Sequence, residues 1–129
     1  MNTQDSLPPH LPEAEWMLLA CCIEKPTILA SVTADHFYLT ECRAVWDKIN
    51  LLAAHPDSVN PITVPMRLER TLQVATVEAL NRLPSPANWP YWLQICDEYR
   101  MARQTARLGA DLAAEAHAAR IAAFEGQGN

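Results

Sequence analysis

Glycine is scarce in this sequence, and the scarcity restricts the folds that the chain can adopt. The three glycines are Gly109, Gly126 and Gly128, all late in a chain of 129 residues. Hairpins and sandwich turns depend on glycine, because it adopts the positive φ angles of tight turns without steric cost. Half of the residues are hydrophobic, which is enough for one core. The sequence therefore predicts an all-α domain, a compact bundle of about five to six helices with a long C-terminal helix.

Apolar residues spaced three and four positions apart set the predicted helices, and proline and turn residues set their ends. The predicted helices cover residues 12–25, 27–32, 41–54, 63–70, 74–83 and 89–124. Thr40 and Thr63 are predicted N-caps, and Val77 is predicted to be buried. The predicted organisation is a flexible arm (1–10), a helical head (11–100), the projecting distal half of the last helix (101–124) and a disordered tail (125–129).

The stretch "PSPANWPYW", which follows Leu83, contains three prolines and two tryptophans. A spacer would not need the indole rings, whereas a proline in a first helical turn is well tolerated. Asn88 is predicted to cap the long helix. We interpret the stretch as a rigid structural corner made by Pro84, Ser85, Asn88 and Trp92, in which the tryptophans are packing residues.

Two surfaces of the last helix are candidate interaction sites. One is an apolar stripe at helical spacing, which predicts a homodimer or a higher symmetric assembly; its residues are Leu108, Leu112, Ala116 and Ala119. The other is a basic stripe of Arg100, Arg103 and Arg107. This stripe is either a solvated face or a docking site for an acidic partner protein.

The chemistry-bearing residues make no case for an enzyme. The formal net charge is −5, which predicts weak or no binding to nucleic acid. Neither a phosphate-binding glycine loop nor an HExxH motif is present, so no catalytic, cofactor-binding or metal-binding residue is predicted. The four cysteines lie among apolar residues and lack zinc spacing. With no signal peptide or membrane-length apolar run, a cytoplasmic protein is expected.

Several segments, read in order, resemble the N-terminal domain of the DnaB-type replicative DNA helicases. They are "PPHLPEAEWMLLACCI", "ADHFYLTECRAVWDKINLLA", "NPITVPMRLER" and "VEALNRLPSPANWPYWLQICDEYRMAR". The landmarks are Pro8-Pro9, the Glu13-Ala14-Glu15 run, Phe37-Tyr38, the helix from Arg43 to Leu52, and the corner at Pro84, Ser85, Ala87 and Asn88. In that corner Trp92 stands where the family has tyrosine. The resemblance covers about residues 8–115. Five landmarks in the same order and spacing are more specific than any single landmark.

The resemblance implies a non-catalytic collar module that self-associates and docks primase, a helicase loader or a helicase collar. The family's ATPase domain is not expected here, because the chain stops after what resembles the first helix of the family's helical hairpin. The chain is then a helicase fragment or a free-standing homologue from a mobile element or phage. The alternative hypothesis is an unrelated small helical dimeric regulator, which tight, sequence-specific DNA binding would favour.

Overall fold

The structure, a computed structural model, describes residues 8–127, with only the backbone described for Pro56 and residues 124–127. Five α-helices form within this range: α1 (Pro12–Glu24), α2 (Thr40–Leu52), α3 (Thr63–Met66), α4 (Arg70–Arg82) and α5 (Trp89–Gln127). Short 3₁₀ helices occur between them at Pro26–Ser31, Ala34–His36, Pro56–Ser58 and Pro86–Asn88. Residues 8–127 contain no β-strand, and the predicted all-α fold is confirmed.

Helix α1 is the centre of the bundle. It packs against α2, α4 and α5, and nine of its thirteen residues are buried. A helix that is apolar on all sides belongs in a core, because no face of it is suited to water. Pro12 occupies the first turn, where the missing N–H is tolerated. As predicted, the helix ends just before Pro26, and the N–H of Lys25 bonds to the carbonyl of Cys21 over 2.8 Å.

Helix α2 places one face against α1, and its buried residues are Cys42, Val45, Trp46 and Ile49. Val45 and Ile49 are completely buried. The predicted N-cap at Thr40 is wrong, because the helix begins at Thr40 itself and Leu39 occupies the cap position without a side-chain cap bond. The N–H groups of Tyr38 and Leu39 are satisfied from another helix, as described below.

The segment between α2 and α4 departs most from the predicted boundaries. A single predicted helix from Thr63 to Arg70 is divided into α3 and the start of α4. The predicted N-cap at Thr63 is wrong, because α3 begins at Thr63 and Ile62 occupies the cap position. Asn60 Oδ1 accepts from the N–H of Thr63 at 2.7 Å at this start. Glu69 caps α4 by accepting from the N–H of Leu72 at 2.9 Å.

The buried face of α4 differs from the predicted one. Thr76 and Ala79 turn inward, whereas Val77 is 40% exposed. The prediction that Val77 is buried is wrong.

The corner before α5 is made by Ser85. Its Oγ accepts from the N–H of Ala87 at 3.1 Å and opens the 3₁₀ turn Pro86–Asn88 that runs directly into α5. The predicted cap at Asn88 is therefore wrong, because Asn88 lies at the end of that turn and Ser85 precedes it. This turn continues directly into α5, and Pro86 and Pro90 both stand in a first turn, where the missing N–H of proline is tolerated.

Helix α5 has 39 residues, a length of about 58 Å at 1.5 Å per residue. Its first part packs against α1, and Cys96 is its buried residue. Every residue from Gln104 to Ala123 is exposed. The helix reaches Gln127, three residues beyond the predicted end at Phe124. Residues 1–7 of the predicted arm and residues 128–129 of the predicted tail lie outside the described range.

Candidate functional site

A buried carboxylate joins α1 to the start of α2. Glu15 is 2% exposed, and its Oε1 accepts hydrogen bonds from the N–H of Tyr38 at 2.8 Å and of Leu39 at 3.0 Å. Its Oε2 is buried without a hydrogen-bond partner in the described part of the chain. Burial raises the pKa of the Glu15 carboxyl, although the two N–H donors oppose the change. Glu15 thus fixes the turn that leads into α2.

Glu13 and Glu15 belong to one run in the sequence, but the structure gives them different roles. Glu13 is exposed and pairs with Arg82 at 3.4 Å. The available signal was helical spacing, because Glu15 lies three and seven positions before the buried Leu18 and Cys22. A carboxylate on the apolar face of a helix indicates a specific buried partner.

Arg103 of α5 holds two distant segments against that helix. Its Nη1 donates to the carbonyl of Pro9 at 2.9 Å, and its Nη2 donates to the carbonyl of Asp35 at 2.7 Å. The guanidinium carbon lies 5.8 Å from the centroid of the Tyr38 ring, and the Tyr38 ring in turn lies 4.5 Å from that of His10. Burial lowers the pKa of Arg103, and the Glu15 carboxylate opposes this effect. Arg103 therefore has a structural role within the predicted basic stripe.

Arg100 belongs to a second polar cluster, with Asp97 and His36. Arg100 Nη2 lies 2.8 Å from Asp97 Oδ1, and this hydrogen-bonded ion pair is the main reason that the pKa of Asp97 is lowered. His36 is buried, and its Nδ1 accepts from the N–H of Thr33 at 3.0 Å. Its proton is thus on Nε2, which donates to Asp97 Oδ1 at 3.2 Å. This cluster attaches the Ala34–His36 turn to α5.

Between these contacts lies an open groove of about 840 Å³, bounded by the Pro8-Pro9 segment, the start of α2 and α5. We call it the arginine groove, because Arg43, Arg100, Arg103 and Arg107 all line it. The structure thus brings the predicted basic stripe together with Arg43 of α2. Sequence reasoning missed Arg43, since its approach to α5 depends on tertiary packing. Asp35 is the carboxylate among the lining residues.

The predicted oligomer interface lies on the exposed part of α5. Leu108 is 62% and Leu112 is 64% exposed, and Ala116 and Ala119 are exposed as well. Outside its own helix, nothing lies within 4 Å of the position that a Cβ on Gly109 would take. The structure leaves this stripe uncovered by the described residues, which is what an interface with a second helix requires.

The corner residues serve the packing of the head. Trp92 is partly buried against the core and forms an edge-to-face pair with Tyr91 at 4.9 Å. Its indole Nε1 is buried without a partner among the described residues. Pro84 is exposed and Ser85 is partly buried. Trp46 of α2 is also a packing residue, at 6% exposure.

The four cysteines are free thiols and are buried. Burial raises the pKa of Cys21 to about 11 and that of Cys96 to about 12, and it raises the pKa values of Cys22 and Cys42 further. A thiol held protonated is a poor nucleophile and a poor metal ligand.

No three His, Cys, Asp or Glu side chains come together as a metal site within the residues that the structure describes. None of the helices in that part of the chain has the length and apolar character needed to cross a membrane.

A family model for the DnaB-like helicase N terminal domain matches residues 7–98. The chain belongs to this family. The match confirms the predicted resemblance and includes Glu15, Arg43 and Asp97. No curated protein matches the chain. The DnaB N-terminal domain is the non-catalytic part of the helicase.

The DnaB match ends inside α5. The predicted resemblance extends to about residue 115, whereas the match stops at residue 98. Arg100, Arg103, Arg107 and the exposed leucines therefore lie beyond it. The head is a recognisable DnaB N-terminal domain, and the two candidate interaction surfaces depend on the part of α5 that follows.

Proposed function

We propose that this chain is a protein-interaction and oligomerisation module of DNA replication, which docks primase, a helicase loader or a helicase collar. The family membership supports the replication context, since the DnaB-like N-terminal domain is a helicase module. Binding to these replication proteins would place the protein in the cytoplasm. The hypothesis of an unrelated helical regulator is set aside by the family match.

The observation that carries this proposal is the exposure of Leu108 and Leu112, at 62% and 64%, on a helix whose first part is fixed in a DnaB-type head. Apolar surface left in water costs about 25 cal/mol per Å². The alanines beside these leucines allow a second helix to approach closely. The proposed assembly is therefore a symmetric pairing of α5 with its copy, or with a helix of a helicase collar.

Binding to purified replication proteins tests the docking role. The immobilised chain is offered purified primase, helicase loader and full-length DnaB-type helicase from one organism, each separately. We expect saturable binding of at least one of them. A matched control is the Leu108→Asp/Leu112→Asp variant, which should lose collar binding if α5 supplies the contact. Failure of all three proteins to bind would refute the docking proposal.

A further inference from the structure

The arginine groove carries positive charge that its surroundings do not balance. Arg100 is paired with Asp97 at 2.8 Å, and Arg43 Nη2 is 3.8 Å from Asp35 Oδ1, both side chains being exposed. Arg103 donates to two neutral carbonyls. Arg107 forms no hydrogen bond or ion pair with the residues that the structure describes. Half of the guanidinium groups in the groove thus lack a carboxylate partner there, in a chain whose net charge is −5.

The walls of the groove leave a ligand little main chain to pair with. The carbonyl of Pro8 accepts from His10 Nδ1 at 2.9 Å, and those of Pro9 and Asp35 accept from Arg103. Proline has no N–H to donate. A peptide therefore cannot add here as a strand, and side-chain groups must carry its recognition. The side-chain groups that can contact a ligand include the guanidinium groups, the Tyr38 ring, and the polar side chains of Thr40 and Gln104.

We infer that the arginine groove binds an acidic linear peptide of a partner protein, whose carboxylates pair with Arg107 and with Arg43, since the exposed contact of Arg43 to Asp35 is long at 3.8 Å. Guanidinium groups match carboxylates in bidentate geometry, and a groove of about 840 Å³ accommodates a short segment. The inference deepens the proposed function by naming the chemistry of the docked partner. Nucleic acid is the less suitable polyanion, because binding a phosphate backbone depends on many lysine and arginine contacts and the chain as a whole is acidic.

Fluorescence anisotropy with a defined probe tests this inference. The probe is a labelled peptide of about eight residues, roughly 28 Å when extended, that alternates glutamate and glycine. The same peptide with glutamine in place of glutamate, and a single-stranded oligonucleotide of similar length, serve as comparisons. Arg107→Glu should weaken binding of the acidic peptide by about tenfold or more, since a charge-assisted hydrogen bond contributes about 1.5–3 kcal/mol. Arg120→Glu makes the same charge change on an exposed position of α5 outside the groove and should change the affinity less than about twofold.

Three results would overturn the inference. These are an absence of saturable peptide binding, equal weakening by Arg107→Glu and Arg120→Glu, and tighter binding of the oligonucleotide than of the acidic peptide. The peptide assay requires no replication protein, so its outcome is separate from that of the docking experiment. Groove-specific peptide binding without any replication partner would refute the proposed function and leave the groove assignment standing.

Discussion

The guanidinium of Arg103 donates a hydrogen bond of 2.9 Å to the carbonyl oxygen of Pro9, 94 positions earlier in the chain. Together with the bond to the Asp35 carbonyl, it fixes the segment before α1 and the Ala34–His36 turn to α5. Without it, the Pro9 carbonyl would lose its hydrogen-bond donor, and the Ala34–His36 turn would be attached to α5 through His36 and Asp97.

Replacing Arg103 with alanine should loosen both segments. We expect faster amide hydrogen exchange at His36 and Phe37, by about tenfold, because one anchoring interaction of about 1.4 kcal/mol is lost. Arg103→Lys should give an intermediate rate, since one ammonium cannot reproduce the planar fork. Arg107→Ala is the matched control and should leave exchange unchanged. Equal protection in Arg103→Ala and the wild type would show that the hydrogen bonds of Arg103 are not needed to hold these segments.

Glu15 predicts a pH-dependent stability. Because its folded pKa is raised by burial, the folded state retains the proton more strongly than the unfolded chain does. The favourable contribution of protonated Glu15 to the free energy of unfolding is therefore complete below the ordinary pKa of 4.5. It is lost as the pH rises through the raised pKa. Glu15→Gln should remove this dependence while keeping one acceptor for the N–H groups of Tyr38 and Leu39.

Chemical denaturation across this pH range measures the effect. Glu15→Ala should cost about 2 kcal/mol at neutral pH, because it leaves backbone donors without a partner. Glu15→Gln should cost less than Glu15→Ala. If the wild type and Glu15→Gln lost stability in parallel as the pH rose, Glu15 would not be the group responsible.

The corner before α5 offers a direct test of which residue caps it. Ser85→Ala should lower the free energy of unfolding by about 1 kcal/mol, since Ser85 Oγ accepts from the N–H of Ala87. Asn88→Ala, at an exposed position of the same turn, should change it by less than about 0.5 kcal/mol. Trp92→Ala should cost more than either, about 3 kcal/mol, as its ring packs on the core. Thermal denaturation of the three variants would disprove the assignment if the serine and asparagine effects were reversed.

The exposed leucines predict self-association. Leu108→Asp/Leu112→Asp should convert the assembly to a monomer while the head stays folded, because charge on the stripe opposes burial against a second helix. Ala110→Asp/Ala114→Asp introduces the same charges at the same spacing on the opposite side of α5 and should leave the assembly intact. Light scattering with circular dichroism measures both. A wild-type chain that is monomeric at high micromolar concentration, without a partner, contradicts the prediction.

Local signals in the sequence were sufficient for the helices and insufficient for the groove. Apolar spacing and proline positions predicted α1 and its end before Pro26, because these depend on neighbouring residues alone. The caps at Thr63 and Asn88 were misassigned, since several polar residues near each start compete for the role. The cap at Thr40 was misassigned because the apolar Leu39 occupies that position and no side chain bonds there. The anchoring by Glu15 and the approach of Arg43 to α5 depend on contacts between distant segments, which spacing within one helix does not report.

The hydrogen bonds of Glu15 and Arg103 share a property with a consequence for how this domain can change over time. All four end on main-chain atoms, the N–H groups of Tyr38 and Leu39 and the carbonyls of Pro9 and Asp35. Main-chain atoms are present whatever the side chain is. The side chains of these turns can therefore be substituted while Glu15 and Arg103 keep the same hydrogen bonds. Homologues could therefore change the surface side chains that contact a partner, and so bind a different partner, while the helical fold stays the same.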